Sequence, residues 1–395
     1  MHLPLTRRSR GFGERLCRGA AAGGGILITL IAMAAGGCSF RNLDDLSGGD
    51  AGHEAAPATC AKDCLGGACV SGKCRPATLV GGRNRPWGVV LDKGDVYWSE
   101  LGPAGQPGAA YKLVPAGDPA KIIDTSVDPM WLYTFQSRLY WVSSTSPGAV
   151  GRCPIAAGST GCFYVPGMTV SPQGSIVASG FNGTTYVNNP DSVVADNTGV
   201  YWTNAGSRTL QDGSVVVCHA TGCGSPGPQI LSTSLARPRG IALDETYVYW
   251  VNEGLGADTD TGTVLRIPKI GGTAEKIADH QGGPAYIAVD ATSVYWTNRG
   301  SSEVMTWRKS GGDPQVFATE QGNAWAIAVD ASGVYWTTWG PNGSVSTCPL
   351  SGCDSGVTVV AGSLNSPYGI ALDDAAIYFT LFDATAGAVM KVAKP

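Results

Sequence analysis

Apolar residues in this chain come in short paired runs, not at helical spacing. "AIAVDASGVYWTT", residues 326 to 338, shows the unit: an apolar run, an Asp, a short turn, and a second apolar run containing Tyr-Trp. Two such runs around a turn predict a β-hairpin. Both faces of its strands are apolar, so the hairpin must be covered on both sides. The unit recurs. "GVVLDKGDVYWSE" begins at Gly88, "WLYTFQSRLYWVS" at Trp131, "SVVADNTGVYWTN" at Ser192, "GIALDETYVYWVN" at Gly240, "YIAVDATSVYWTN" at Tyr286 and "GIALDDAAIYFTL" at Gly369, which makes seven copies.

The register is shared between copies. Five residues before each Tyr of the Tyr-Trp or Tyr-Phe pair stands Asp92, Asp196, Asp244, Asp290, Asp330 or Asp373, with Phe135 the exception. Six residues before that position stands Pro86, Pro129, Pro190, Pro238, Pro284 or Pro367, with Ala324 the exception. Downstream of each hairpin come a third strand ("GTVLRIP", "SEVMTWR", "GSVSTCP") and a fourth ("AEKIAD", "PQVFAT", "VTVVAG"). Four antiparallel strands repeated every 40 to 48 residues, with one interval of 61, describe the blades of a β-propeller. The last copy stops after its third strand, "GAVMKVAKP", whereas "ATLVGGRNRP", residues 77 to 86, reads as a fourth strand placed ahead of blade 1. The expectation is an all-β, seven-bladed β-propeller over 77–395, closed by its N-terminal strand, with an insertion near residues 164 to 189.

Composition agrees. Of 395 residues, 43% are apolar and 15% charged, which excludes a mainly disordered chain, and Gly 56 with Pro 24 favours turns and strands over helices. Five arginines, Arg7, Arg8, Arg10, Arg15 and Arg18, precede an apolar stretch that ends at Ala35, Gly36, Gly37 and Cys38. Residues 1–37 thus resemble a lipoprotein signal peptide with Cys38 as the lipidated residue, which implies a lipid-anchored protein of the cell envelope, at the outer membrane. Their removal moves the formal net charge from −4 to −8, so nucleic acid is a poor partner. Residues 38–59 are small and polar and read as a flexible tether.

Ten cysteines remain for an oxidising compartment. Cys60, Cys64, Cys69 and Cys74 fall in "CAKDCLGGACVSGKC" and predict a small disulfide knot over 60–76, with three pairings open and zinc as the competing reading. The others form local pairs: Cys153 with Cys162, Cys218 with Cys223, and Cys348 with Cys353.

The Tyr-Trp-Thr-Asn copies resemble the YWTD propellers of low-density-lipoprotein-receptor ectodomains and, more loosely, NHL and gluconolactonase-like propellers. With the lipobox and the knot, the chain looks like a propeller lipoprotein of Gram-negative bacteria. The resemblance implies a surface for partners more than a chemistry. Two departures matter: the fourth motif position is Glu100, Ser143, Asn204, Asn252, Asn298, Thr338 or Leu381, never Asp, and seven blades exceed the usual six.

Candidate chemistry is sparse. His219 and His280 are the histidines of the propeller, and the repeated Asp set is expected to cap hairpin turns by hydrogen bonding to local backbone. Asp258, Asp260 and Gly262 in "GADTDTGTV" alternate as in calcium loops but lack the bidentate acid at the end, so no cofactor is expected and calcium is the one ion with a partial motif. The position after each repeated Pro is more varied. Opening the innermost strand at the channel mouth, it reads Trp87, Met130, Asp191, Arg239, Ala285, Trp325 and Tyr368. Trp87, Asp191, Arg239, Trp325 and Tyr368 are therefore the candidate ligand-binding residues, since flat rings stack on sugars or peptide side chains and charges orient them. Two readings follow: a binding or scaffold module with a protein or glycan ligand, and a metal-dependent propeller hydrolase or lyase with its site in the central channel.

Overall fold

The computed structural model describes residues 60, 62–103, 106–114, 118–125, 128–144, 148–155, 162–164, 175–179, 187–219, 227–256 and 260–395, with backbone alone for 124–125, 162–164, 175–179 and 219. The signal segment, Cys38, the tether, Cys223 and Asp258 lie outside them. The described residues form seven sheets of the propeller plan and one two-stranded hairpin, without a helix. Blade 4 shows the plan: Pro238–Leu243 innermost, then Tyr247–Asn252, Gly262–Pro268 and Glu275–Gln281, each antiparallel to the one before. Blade 7 takes three strands from the C-terminus and its fourth from Ala77–Arg83, which pairs antiparallel with Gly387–Ala393 and closes the ring.

The long interval departs from expectation in its position. Ser175–Ser179, inside the span read as insertion, is the regular outer strand of blade 2. The extra element comes earlier: Cys162–Tyr164 runs parallel to Ala120–Thr125 and gives blade 1 a fifth strand. An outer edge carries unpaired backbone groups, and here the chain itself supplies their partner.

The Tyr-Trp pair is explained by the seams between blades. Adjacent residues of a strand point to opposite faces, so each pair places one ring in each of two seams. The Tyr of every blade shares a buried core with the Trp or Phe of the next: Tyr97 with Trp141, Tyr140 with Trp202, Tyr201 with Trp250, Tyr249 with Trp296, Tyr295 with Trp336, Tyr335 with Phe379, and Tyr378 with Trp98. Seven seams give seven cores. Trp98, Trp202, Trp250, Trp296, Trp336 and Phe379 are fully buried. Each ring so buried contributes about 1.5–3 kcal/mol.

The third motif position adds a polar latch. The hydroxyl of Ser99, Thr203, Thr297, Thr337 and Thr380 donates to the carbonyl of Met130, Arg239, Trp325, Tyr368 and Trp87 on the next blade, at 2.5–2.8 Å. The same oxygens accept the amides of Gly88, Ser192, Tyr286, Ala326 and Gly369 on their own blades. Each latch therefore positions the innermost strand where it enters the mouth. Blades 2 and 4 have Val142 and Val251 at this place and no hydroxyl to offer.

The repeated Asp caps the hairpin turn as expected. One carboxylate oxygen of Asp196, Asp244, Asp290, Asp330 and Asp373 accepts the amides two and three residues on. Asp92 differs, because Lys93 and Gly94 form a left-handed two-residue turn and Asp92 instead pairs across the ladder with Asp95. Three caps also bind a Lys of the next blade: Asp196 with Lys269, Asp244 with Lys309 at 2.8 Å, and Asp330 with Lys394. At the seam of blades 5 and 6 the corresponding position is Leu350, and a cavity of about 900 Å³ opens there between Tyr295, Arg308, Phe317 and Asp354.

Ahead of the ring, disulfides Cys60–Cys69 and Cys64–Cys74 hold the hairpin Cys69–Val70/Lys73–Cys74 just before the closing strand. They engage all four thiols, so none is left for zinc. Cys348–Cys353 is also bonded, and Cys153 and Cys218 are each in a disulfide.

Thr380→Val should lower unfolding free energy by about 1–3 kcal/mol in denaturant titration, because it strands a buried carbonyl and amide at the closing seam. Val251→Thr should raise it by about 1 kcal/mol by installing the latch that blade 4 lacks. A second expectation concerns acid. Burial opposes the charge of Asp244, but Lys309 and the turn amides overcome it and hold the carboxyl at about 2, below its ordinary 3.8. A depressed folded value means stabilisation present above the ordinary value and lost as pH falls through the folded one. The thermal midpoint should drop between roughly pH 4 and 2, and Asp244→Asn, less stable at about pH 6, should lose less over that interval.

Candidate functional site

Two positions per blade are brought to one end of the channel by a repeated backbone device. In every blade but blade 2 the residue before the innermost strand is left-handed: Arg85, Asn189, Arg237, Gly283, Asn323 and Ser366 have φ of 47–63°. Its carbonyl accepts the amide of the residue that follows the second strand: Leu101, Ala205, Glu253, Arg299, Trp339 and Phe382. The mouth thus carries two rings of positions. One is the ring read from the prolines, and the other is the residue just after Tyr-Trp-x-x.

All five candidate residues fall in one connected cluster. Asp191 Oδ1 lies 3.4 Å from Arg239 Nη2, and the Arg239 guanidinium lies 5.3 Å from the Trp325 ring. Trp325 meets Tyr368 at 5.0 Å between centroids, and Tyr368 meets Trp87 at 4.6 Å. These are blades 3, 4, 6, 7 and 1. The cluster is less open than a solvated rim: Asp191, Trp325 and Tyr368 are buried, and Trp87 is half-buried.

Several partners were not legible from the proline register alone. Glu253 accepts Arg237 Nη1 and Arg239 Nη1 on one oxygen, each at 2.9 Å, and Arg299 Nη2 on the other at 2.8 Å. Arg299 also stands 5.3 Å from the Trp325 ring, so two guanidiniums share one indole. Burial works against charge on Glu253, yet Arg239, Arg237 and Arg299 outweigh it and hold the carboxyl below its usual range. Burial has the upper hand at Asp191, whose carboxyl is raised despite Arg239. Five unpartnered buried atoms lie here, Trp87 Nε1, Trp325 Nε1, Arg237 Nε, Arg239 Nε and Asp191 Oδ2, while Arg85 Nε, Trp250 Nε1 and Oδ1 of Asn252 and Asn298 are others among the described residues.

Beneath the cluster the channel is plugged. Trp131 of blade 2 and Tyr286 of blade 5 reach across the axis with centroids 4.3 Å apart, and the indole N–H donates to the Tyr oxygen. Both stand two residues after the proline, where blades 1, 4 and 7 have Gly88, Gly240 and Gly369. A Cβ at Gly240 would lie 2.6 Å from Tyr286 Cα, and one at Gly369 would lie 2.5 Å from the Trp87 carbonyl oxygen. Below the plug lies an apolar cavity of about 300 Å³, lined by innermost strands from Val90 of blade 1 round to Ile370 of blade 7.

Other candidates lie elsewhere. His280 is exposed on the outer strand of blade 4, with Nδ1 3.3 Å from Asp260, and the side chain of His219 is outside the described residues. Gly262 opens a strand where a Cβ would stand 2.2 Å from Pro284 Cδ, which accounts for the glycine by packing. Among the described residues, the one grouping with metal-ligand spacing is Cys60, Cys64 and Cys69, and it is disulfide-bonded. The 900 Å³ groove between blades 5 and 6 is larger than the 300 Å³ cavity at the axis, but none of its lining residues holds an unpartnered buried polar atom. The mouth is therefore the better candidate.

No family model matches the chain, and no curated protein matches it in sequence. Solved structures share the fold. A catalytically inactive virginiamycin B lyase from Staphylococcus aureus, with quinupristin, matches with a TM-score of 0.59 at 15% identity, covering 81% of this chain and 99% of that one. A streptogramin B lyase matches at 0.58 and 13% identity, covering 80% and 96%. A nidogen/laminin complex matches at 0.46 and 17% identity, covering 67% and 89%. At these identities the likeness concerns the fold alone.

Glu253→Gln removes the carboxylate that three guanidiniums share. It should destabilise the protein by about 3 kcal/mol, since breaking one member of a buried ion cluster leaves charge uncompensated. Denaturant unfolding measures it, with Glu320→Gln on the exposed surface as the neutral control.

Proposed function

We propose that the chain is a non-enzymatic binding module whose ligand, a protein or glycan, docks at the mouth formed by Trp87, Asp191, Arg239, Trp325 and Tyr368. The observation that carries this reading is the gathering there of buried polar atoms without partners beside stacked rings. Five such atoms belong to this one cluster, and a buried polar atom without a partner at a cleft is a group that a ligand can satisfy. The lipobox reading of Cys38 adds that the module is tethered to the cell envelope, at the outer membrane, and held there through its lipid alone. Fold likeness is consistent with binding and with catalysis, so it does not choose between them.

A metal-dependent hydrolase or lyase is the second reading, favoured by the fold shared with virginiamycin B lyase. Against it, no histidine side chain stands among the described residues of the mouth, and His280 is exposed on an outer strand. Elemental analysis of tag-free protein separates the two: stoichiometric calcium, magnesium or zinc supports the second reading.

The first reading is tested by capture from envelope extract. Trp87→Ala and Trp325→Ala proteins, folded by circular dichroism, should each lose about 10-fold or more in affinity for the captured ligand, as expected for central aromatic anchors. Full retention by both variants would overturn the mouth as the site.

A further inference from the structure

We propose that the mouth recognises an acidic sugar, a uronate-type ring whose carboxylate completes the charge of the arginine cluster; this rests on the mouth being the ligand site. Among the described residues the cluster sets three guanidiniums, Arg237, Arg239 and Arg299, against two carboxylates, Asp191 and Glu253. It is one negative charge short. Glu253 is shared by all three arginines, and burial draws Asp191 toward its neutral form against the pull of Arg239, which deepens the deficit. Three guanidiniums that share two carboxylates are incompletely compensated, and a bound anion supplies the remaining charge.

The hydrogen-bonding inventory points the same way. Within the cluster four unpartnered buried atoms are donors, Nε of Arg237 and Arg239 and Nε1 of Trp87 and Trp325, against one acceptor, Asp191 Oδ2. The complementary ligand is rich in acceptors. Arg299, with 39% of its side chain exposed, and half-buried Trp87 are the open members and make first contact. Rings surround them: Trp87, Tyr368 and Phe382 lie 4.6–5.4 Å apart, and Arg299 lies over Trp325. A uronate fits this combination, because its C–H face stacks on an indole while its carboxylate takes the guanidinium fork and its hydroxyl and ring oxygens accept from N–H groups. An acidic peptide carries its carboxylates on flexible stems with no flat face. The attraction has to be local, because the chain as a whole is acidic, at −4.

The test is titration of the purified protein at about 0.15 M salt, read by tryptophan fluorescence and calorimetry, with tetragalacturonate, its carboxyl-reduced neutral counterpart and hexaglutamate. Tetragalacturonate should bind about 10-fold or more tightly than the neutral saccharide. Arg299→Gln should abolish that preference, and Arg299→Lys should retain part of it. Equal binding of the neutral saccharide overturns the inference, as does binding of hexaglutamate with both saccharides silent, or absence of tetragalacturonate binding. None of these results removes the mouth as a site, which stands or falls on capture by the Trp87 and Trp325 variants.

Discussion

Each seam of this propeller is a buried core that holds the Tyr of one blade and the Trp or Phe of the next, and where the ring closes the seventh Tyr, Tyr378, shares a core with the first Trp, Trp98. A single strand supplies both rings of a pair, so every blade is bound to two neighbours through two consecutive residues. The hydroxyl latch reinforces the same contact: the third residue of the motif holds the innermost strand of its own blade by an amide and that of the next by a carbonyl. In the five blades with a hydroxyl there, apolar burial and directed hydrogen bonds therefore converge on one three-residue segment.

That economy frees the mouth. The residue after each proline meets the latch through its backbone carbonyl, so its side chain carries no structural duty in common, and it varies from Trp to Asp to Arg. Residues more than a hundred positions apart, such as Asp191 and Trp325, come within one cluster through Arg239. The plug of Trp131 and Tyr286 divides the axis into a charged, aromatic end and an apolar end, so the two ends of the channel differ in chemistry although they are built from the same strands.

Much of this was legible in the sequence because the signals are local. Hairpins, Asp caps, the seven-fold count and the closing strand at 77–83 all follow from alternation and shared register. The capping role of Asp244 needs only the amides two and three residues on. Other features depend on which blade meets which. Glu253, Arg299 and Phe382 occupy the position after Tyr-Trp-x-x, and variation at that fixed register was a usable signal, just as it was after the prolines. Trp131 and Tyr286 stand where other blades have Gly, a contrast visible in the sequence, but their meeting across the axis depends on blades 2 and 5 lying opposite. The strand Cys162–Tyr164 belongs to no copy of the repeat, and its place beside blade 1 is decided by an unpaired edge.

Closure of the ring is what brings Trp87 to Tyr368, and amide hydrogen exchange tests it most directly. In a closed ring the ladder amides of Ala77–Arg83 exchange as slowly as those of their partner Gly387–Ala393. Exchange of 77–83 at the rate of an unstructured tail, with Gly387–Ala393 protected, would contradict closure and with it the assembly of the mouth.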